Sequence, residues 1–338
     1  MVSVDQLTPA APAAAPPGVD RRLASRAHRT VEPLHSHTYF APELDEHLTA
    51  AGLRPGRMTY FAGRAAPMGA VGPGVVTATF YNFHPGLVAR HVPRCWTLAT
   101  PEAVAAARFD SARASLTRLL GDTAADDVVE LGDLLAEACT VLAPEARPLY
   151  AGHADLAWPT DPVTRLWHAV TLVREHRGDG HLMALQQHGL SGLEALITHT
   201  ATGRGFTVQA AQKTRGWSEQ EWAEGWQRLA DRGLVDDAGL TDEGEAQRRA
   251  VEDLTDDLSL APFTHLGTER TERVVELARP MARTLAAHGA YPAGVPREPG
   301  RERPRARGHR PGPAALPRGR CGRRTRSSRR PRGPGRAP

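Results

Sequence analysis

Lysine is almost missing from this chain. Of 42 basic residues in 338, Lys213 is the one lysine and the rest are arginine. Cysteine is nearly as scarce. Cys95, Cys139 and Cys321 are odd in number and far apart, which excludes a disulfide scaffold or a zinc ribbon and fits a reducing cytoplasm. No stretch approaches the ~18 uninterrupted apolar residues of a membrane helix. Met1 to Asp20, rich in Ala and Pro and carrying Asp5, has no basic start followed by an apolar run and is not a secretory signal. A soluble, cytoplasmic chain with no membrane partner is expected. No Gly-x-Gly-x-x-Gly, P-loop or Gly-x-Ser-x-Gly stands anywhere, so nucleotide, phosphate and hydrolase readings have no support, and no cofactor is implied.

Charge is present but unevenly placed. Residues 297–338 hold 15 Arg and 2 Glu, so the net +4 of the chain hides a body, residues 1–296, with 27 basic and 36 acidic side chains, net −9. The tail has Arg, Pro and Gly and almost nothing to bury, a composition that reads as disordered. It reads either as a nucleic-acid arm or as the out-of-frame end of a GC-rich gene, for which the near-absence of lysine speaks, setting in near Tyr291 to Pro296.

Apolar residues make up 41% of the chain, ample for a core, and the length suggests about two domains. After a flexible leader, residues 1–20, prolines at 42, 55, 67, 73, 85 and 93 cut the chain into short helices with tight corners. Thr100-Pro101-Glu102 and Asp161-Pro162 read as helix starts. The first predicts a helix to about Leu120, followed by another from about Ala124 to Val141. The second predicts a helix with Leu166, Trp167, Val170 and Val173 on a buried stripe and Thr164, His168, Thr171 and Glu175 on a polar face. Gly178 and Gly180 are expected to end it, with a new helix over His181 to His188. From Gly189 the order becomes three helices, a Gly-Leu-Val exit, a tight turn at Asp236 to Gly239 and a long helix to about Leu258. That is the order of a winged helix. A last helix is expected over Thr268 to His288.

Several stretches carry a resemblance: Tyr60-Phe61-Ala62-Gly63-Arg64-Ala65-Ala66-Pro67, Phe80 to Pro85, Leu166 to Ala169, Arg174 to His181 and Thr214 to Ser218. Over about Val31 to Pro292 the chain resembles an actinobacterial helix-turn-helix family of SalK-like or EvbL-like proteins, related to MarR regulators. The resemblance implies a mainly α fold, a helical N-terminal region followed by a MarR-like winged-helix module. It also implies a body ending near Pro292 and a homodimer, and it implies no reaction. The domains expected are a ligand-binding helical region at 21–188, a winged-helix-like module at 189–260, a C-terminal helix at 261–292 and a tail at 293–338.

The residues offered for chemistry are few. Arg64, in an apolar and aromatic setting beside Tyr60, needs an anionic partner, internal or bound. With Asn82 it defines one end of a candidate pocket. Arg174 to His181 is the densest polar cluster. It reads either as a helix–helix turn with Asp179 as a cap, or as a pocket mouth formed by His176, Asp179 and His181 with His168 and Glu175 behind it. The spacing matches no metal motif. His35, His37 and His84 read as hydrogen-bonded core residues, and Trp222 and Trp226 as a core stripe. Residues 191–258 hold seven basic and fourteen acidic side chains, which opposes phosphate contact and disfavours DNA as a partner. Lys213, Arg215, Ser218 and Gln220 are the candidates for touching DNA. Two functions are therefore weighed: a small-molecule-binding winged-helix protein of regulatory descent, with weak or lost DNA binding, and an enzyme of specialised metabolism using His168, His176 and His181, metal or haem dependent.

Overall fold

Proline and the capping residues set most helix starts. The computed structural model describes residues 19–203 and 207–291; the expected tail, and all but the last two residues of the expected leader, lie outside the described residues. The N-terminal run comprises α1 (Arg21–Ser36), α2 (Pro42–Ala50), α3 (Arg57–Ala65), α4 (Pro73–Phe80) and α5 (Pro85–Ala89). Then come α6 (Pro101–Leu120), α7 (Ala125–Cys139), α8 (Pro148–Ala154) and α9 (Pro162–Gln187). Proline at the first helical position, as in α2, α4, α5, α6, α8 and α9, fixes φ where its missing N–H costs nothing. Thr100 and Asp161 cap α6 and α9 by accepting backbone N–H groups, as expected from their sequence signals.

The 26-residue α9 is the spine. One apolar cluster joins Leu166, Trp167, Val170 and Val173 of α9 to α1, α6, α7 and the last helix, α14 (Ala261–Ala287). A second holds Phe61, Phe80, Phe83 and Leu149 among α2 to α6 and α8. A third begins at Ala184 and Leu185, at the other end of α9. The face of α9 expected to be polar is polar but not solvated: Thr164, His168, Thr171 and Glu175 are all buried. Nor do Gly178 and Gly180 end the helix. It runs through both, so the expected turn at Arg174 to His181 and the separate helix over 181–188 are corrected to one continuous element. Packing outweighs the roughly 1 kcal/mol that a helical glycine costs. A Cβ on Gly180 would stand 2.8 Å from Arg147 Nη1, whose guanidinium is tied to the carbonyls of His176 and Leu258.

Beyond α9 the chain forms α10 (Gly192–Ala201), α11 (Val208–Arg215), α12 (Glu219–Asp231), a two-stranded antiparallel hairpin and α13 (Asp242–Asp257). The hairpin strands β1 (Val235–Asp236) and β2 (Gly239–Leu240) pair Val235 with Leu240 and Asp236 with Gly239. Ser191 with Glu194, and Ser218 with Glu221, form reciprocal capping boxes. Leu193, Ile197, Ala211, Trp222, Leu229 and Val251 build the third core, with Trp226 packed against it. Helix α14 bends at Gly267 (φ 80°, ψ 173°), so its regular part starts at Thr268 as the sequence predicts, and it packs along α1 and α7. Among the described residues no helix is long and apolar enough to cross a membrane.

Candidate functional site

Residues 80–84 join the N-terminal helices to the unit formed by α10 to α13. Tyr81 ends α4 with φ 56°, a region costly for a side-chain-bearing residue. Its hydroxyl is held by the Leu190 carbonyl and by Gln186 at 2.6 Å. Gly192 lets α10 approach this loop: a Cβ there would run into the Tyr81 carbonyl oxygen. His84 accepts the Gly86 N–H at Nδ1 (3.0 Å) and donates from Nε2 to Glu221 of α12 (2.9 Å). Trp217 donates from its indole to the Asn82 carbonyl at 2.9 Å, and the His84 amide donates to the Arg215 carbonyl at 2.8 Å. The turn between α11 and α12 is thus docked on residues 82–87.

Where α3, this loop, α9, α10 and α13 meet there is a cavity of about 430 Å³. Tyr60, Arg64, Asn82, Asp179, His181 and Arg215, all singled out from the sequence, line it. Arg174, Arg177 and Arg248 line it too, together with Glu32 and Glu252, and these were missed as site residues. Arg174 and Arg177 stood in the polar segment already noted. Arg248 and Glu252, one helical turn apart on α13, carried no signal, because α13 meets α9 only through the tertiary fold.

Beneath the cavity lies an ionic centre. The Arg64 guanidinium donates to both Glu175 oxygens (Nε 3.3 Å, Nη2 3.0 Å), and Arg174 Nη1 lies 2.5 Å from Glu175 Oε2. Burial raises the Glu175 pKa, but Arg174 and Arg64 outweigh it and hold the carboxyl well below the usual carboxylate range. Glu175 is therefore an ionised counter-ion, not the acid–base partner of His168. Arg64 finds its anion internally. Asp179 does act as a cap, though of a different helix from the one expected: Oδ2 accepts the N–H groups of Leu149 (3.1 Å) and Tyr150 (2.9 Å) at the start of α8. Burial pushes its pKa up to about 6, against those N–H bonds.

The three imidazoles offered for catalysis do not converge. His168 and His176 are eight residues apart on one helix, about 12 Å along its axis. His168 is wedged between Phe109 and Trp158, with ring centroids at 5.4 and 4.8 Å. His176 stands edge-on to Tyr150 at 5.1 Å. His181, on the cavity, pairs through Nδ1 with Thr255 at 2.9 Å. Burial depresses all three, His176 to about 3 and the others to about 4, so each is neutral near pH 7. Among the described residues no three His, Cys, Asp or Glu side chains group as a metal site. His35 and His37 are the core residues expected, bonded to Thr171 and Ser115 at 2.9 Å each.

Of the candidates for DNA contact, Lys213 and Gln220 are exposed, and Gln220 donates to Glu224 at 3.0 Å. Ser218 is exposed but engaged in the α12 capping box. Arg215 turns inward: Nε donates to Asn82 Oδ1 at 3.1 Å and its guanidinium lies 4.5 Å from the centre of the Phe83 ring. The exposed side chains of α12 include Glu219, Glu224 and Asp231.

The chain belongs to a helix-turn-helix family, whose profile matches residues 24–292. That span takes in the cavity and every residue named around it. No curated protein and no solved structure matches the chain.

Proposed function

We propose that this is a small-molecule-binding helix-turn-helix protein of regulatory descent, of the SalK-like and EvbL-like group related to MarR regulators. Helices α10 to α13 serve as its winged-helix module, with β1–β2 as a wing reduced to a short acidic hairpin. The observation that carries the reading is the cavity. It is lined from both sides, by Tyr60, Arg64 and Asn82 of the N-terminal region and by Ala195, Arg215 and Arg248 of the module. Its volume of about 430 Å³ falls within the roughly 300–1,000 Å³ of small-molecule sites. A ligand held there touches both parts and so biases their relative placement.

DNA reading is weak in this arrangement. The N-terminal end of α12, the part of a recognition helix that reaches base edges, faces the 82–87 loop. The module brings acid where phosphate contact needs base.

A thermal-shift screen of the full chain against a chemically diverse metabolite library tests the ligand site. Saturation at a hundred times Kd adds about 2.7 kcal/mol of stability, so a true ligand raises Tm by several degrees. Ala195→Trp, which fills the cavity from α10, should abolish the shift. Hits that ignore this substitution, or a library with no hits, would count against the site. Sequence-specific retention of a promoter fragment at physiological salt, surviving competitor DNA, would overturn the weak-DNA part.

A further inference from the structure

We propose that Arg174 of α9 is the head-group anchor of this cavity, and that its ligand is an amphipathic organic anion, one charged head on an apolar body. The inference rests on the cavity being a ligand site. Charge balance beneath the cavity carries it. Three guanidiniums, those of Arg64, Arg108 and Arg174, share the field of one buried carboxylate, Glu175. Arg108 is buried and, among the described residues, its guanidinium has neutral hydrogen-bond partners. Nη1 donates to His153 Nε2 at 2.8 Å and Nη2 to the Tyr39 hydroxyl at 3.5 Å. Burial lowers His153 to about 3, with Arg108 adding to it, and raises the Tyr39 phenol, so neither is charged near pH 7. Glu32, on the cavity wall, is the second acid acting on Arg174. Burial raises its pKa, partly offset by Arg174, and its Oε2 already accepts from Ser36 at 3.0 Å. Even a fully ionised Glu32 leaves two negative charges against three positive. Asp179 has a counter-charge of its own in the buried Arg147. A buried cation in excess is costly, so an arriving anion is drawn in.

Arg174 is the member of the cluster placed to meet that anion. Its side chain is 26% exposed, against 10% for Arg64, and it lines the cavity, which Arg108 does not. The one hydrogen bond of its guanidinium runs from Nη1 to Glu175. Nε and Nη2 remain, a paired edge matched to carboxylate or phosphate oxygens. Three residues on, Arg177 also lines the cavity. Its Nη2 donates to Asp256 at 2.8 Å, while its buried Nε has no hydrogen-bond partner among the described residues. Much of the remaining wall is apolar, formed by Val31, Phe80, Val173, Leu182, Leu185 and Leu196. A cationic ligand would meet like charge, and a bare phosphate would leave the apolar wall in water.

Binding of four probes to the full chain, measured by calorimetry at physiological salt, tests this: octanoate, octyl phosphate, the neutral 1-octanol and inorganic phosphate. Three variants accompany the wild type. Arg174→Gln removes the charge and leaves Arg64 to answer Glu175. Gly178→Asp sets a carboxylate one helical turn on, where an added Cβ stands 3.7 Å from Arg174 Nη1, and discharges Arg174 without altering it. Gly178→Asn fills the same space with no charge. Both Gly178 variants replace a helical glycine by residues of higher helix propensity, so they decide the matter if Arg174→Gln fails to fold. All three leave the arginine-rich tail intact, so only a component lost in them belongs to the cavity. At least one octyl anion should bind about tenfold more tightly than octanol and than inorganic phosphate, the worth of a charge-assisted hydrogen bond. Arg174→Gln and Gly178→Asp should erase that preference and Gly178→Asn should keep it. The ratio of octanoate to octyl phosphate then tells a carboxylate ligand from a phosphate ester. Octanol binding as tightly as the anions, and lost in Ala195→Trp, would sink the anionic head while leaving the cavity as a ligand site. A preference that survives in folded Arg174→Gln or in Gly178→Asp, or that falls equally in Gly178→Asn, would overturn the proposal. So would no binding by any octyl probe, whereas the cavity itself stands or falls by the metabolite screen.

Discussion

Glu175 shows how much one residue can hold. It is fully buried and answers two guanidiniums, with His35 Nε2 3.8 Å away. Removing one member of a buried ion pair costs about 3–5 kcal/mol, because the partner stays charged. Glu175→Ala strands two cations, so urea denaturation should show a loss at the top of that range. Arg64→Ala, with Arg174 still there to answer Glu175, should lose less but measurably. Wild-type stability in Arg64→Ala would mean that the pair contributes nothing. From the sequence it was legible that an arginine between Gly63 and Ala65 needs an anion. Which anion was not legible, since Glu175 lies 111 residues away and no spacing rule links α3 to α9.

At the scale of elements, caps and prolines were nearly sufficient. The limits of α6 and α7, the start of α9 and the end of α13 fall within a few residues of expectation, because caps such as Thr100 and Asp161 do local work visible in sequence. Residues 178–180 misled because glycine weakens a helix locally, while packing that keeps α9 continuous comes from Arg147 and α13. The two glycines should respond oppositely to substitution. At Gly178 an added Cβ meets only ordinary contacts at 3.5 Å and beyond, so Gly178→Ala should gain up to about 1 kcal/mol from helix propensity. At Gly180 the same methyl displaces a guanidinium committed to two carbonyls, so Gly180→Ala should be destabilising by about 1–3 kcal/mol. Paired denaturation curves read both signs, and equal responses would contradict the packing argument. The winning and losing site residues divide the same way. Those on α3 and at 82 and 215 meet because their elements cross, whereas His168 and His176 are separated by the pitch of their own helix.

For the whole molecule, acid should be the weak direction. Burial lowers His28, His153 and His176 to about 3, and His37, His168 and His181 to about 4. A histidine whose folded pKa is depressed contributes fully above its unfolded value near 6.5, and that contribution is lost as pH falls toward the folded pKa. Each imidazole then removes about 1.4 kcal/mol per pH unit. Six together would exhaust a typical stability of about 5–15 kcal/mol within a unit or two. The urea midpoint should therefore fall steeply between pH 6.5 and 4.5, with uptake of several protons, and a flat midpoint across that window would refute it. Glu175, depressed below the carboxylate range, keeps its contribution above about pH 4.5 and adds to the loss below that. Charge makes a second prediction. A chain ending at Pro296 carries net −9 instead of +4, so retention on heparin at low salt should disappear with residues 297–338.

The packing of α14 along α1 also bears on how the chain is made. The two helices lie more than 220 residues apart in sequence. At a synthesis rate of about 5–20 residues per second, α1 waits roughly 10–50 s on the ribosome before its partner exists. Leu23, Val31 and Leu34 of α1 are buried in the finished molecule, and Val31 and Leu34 belong to the same apolar cluster as residues of α14. Until α14 emerges they must be sheltered by something else, so a nascent chain stopped short of residue 261 should be a chaperone client while one carrying α14 is not.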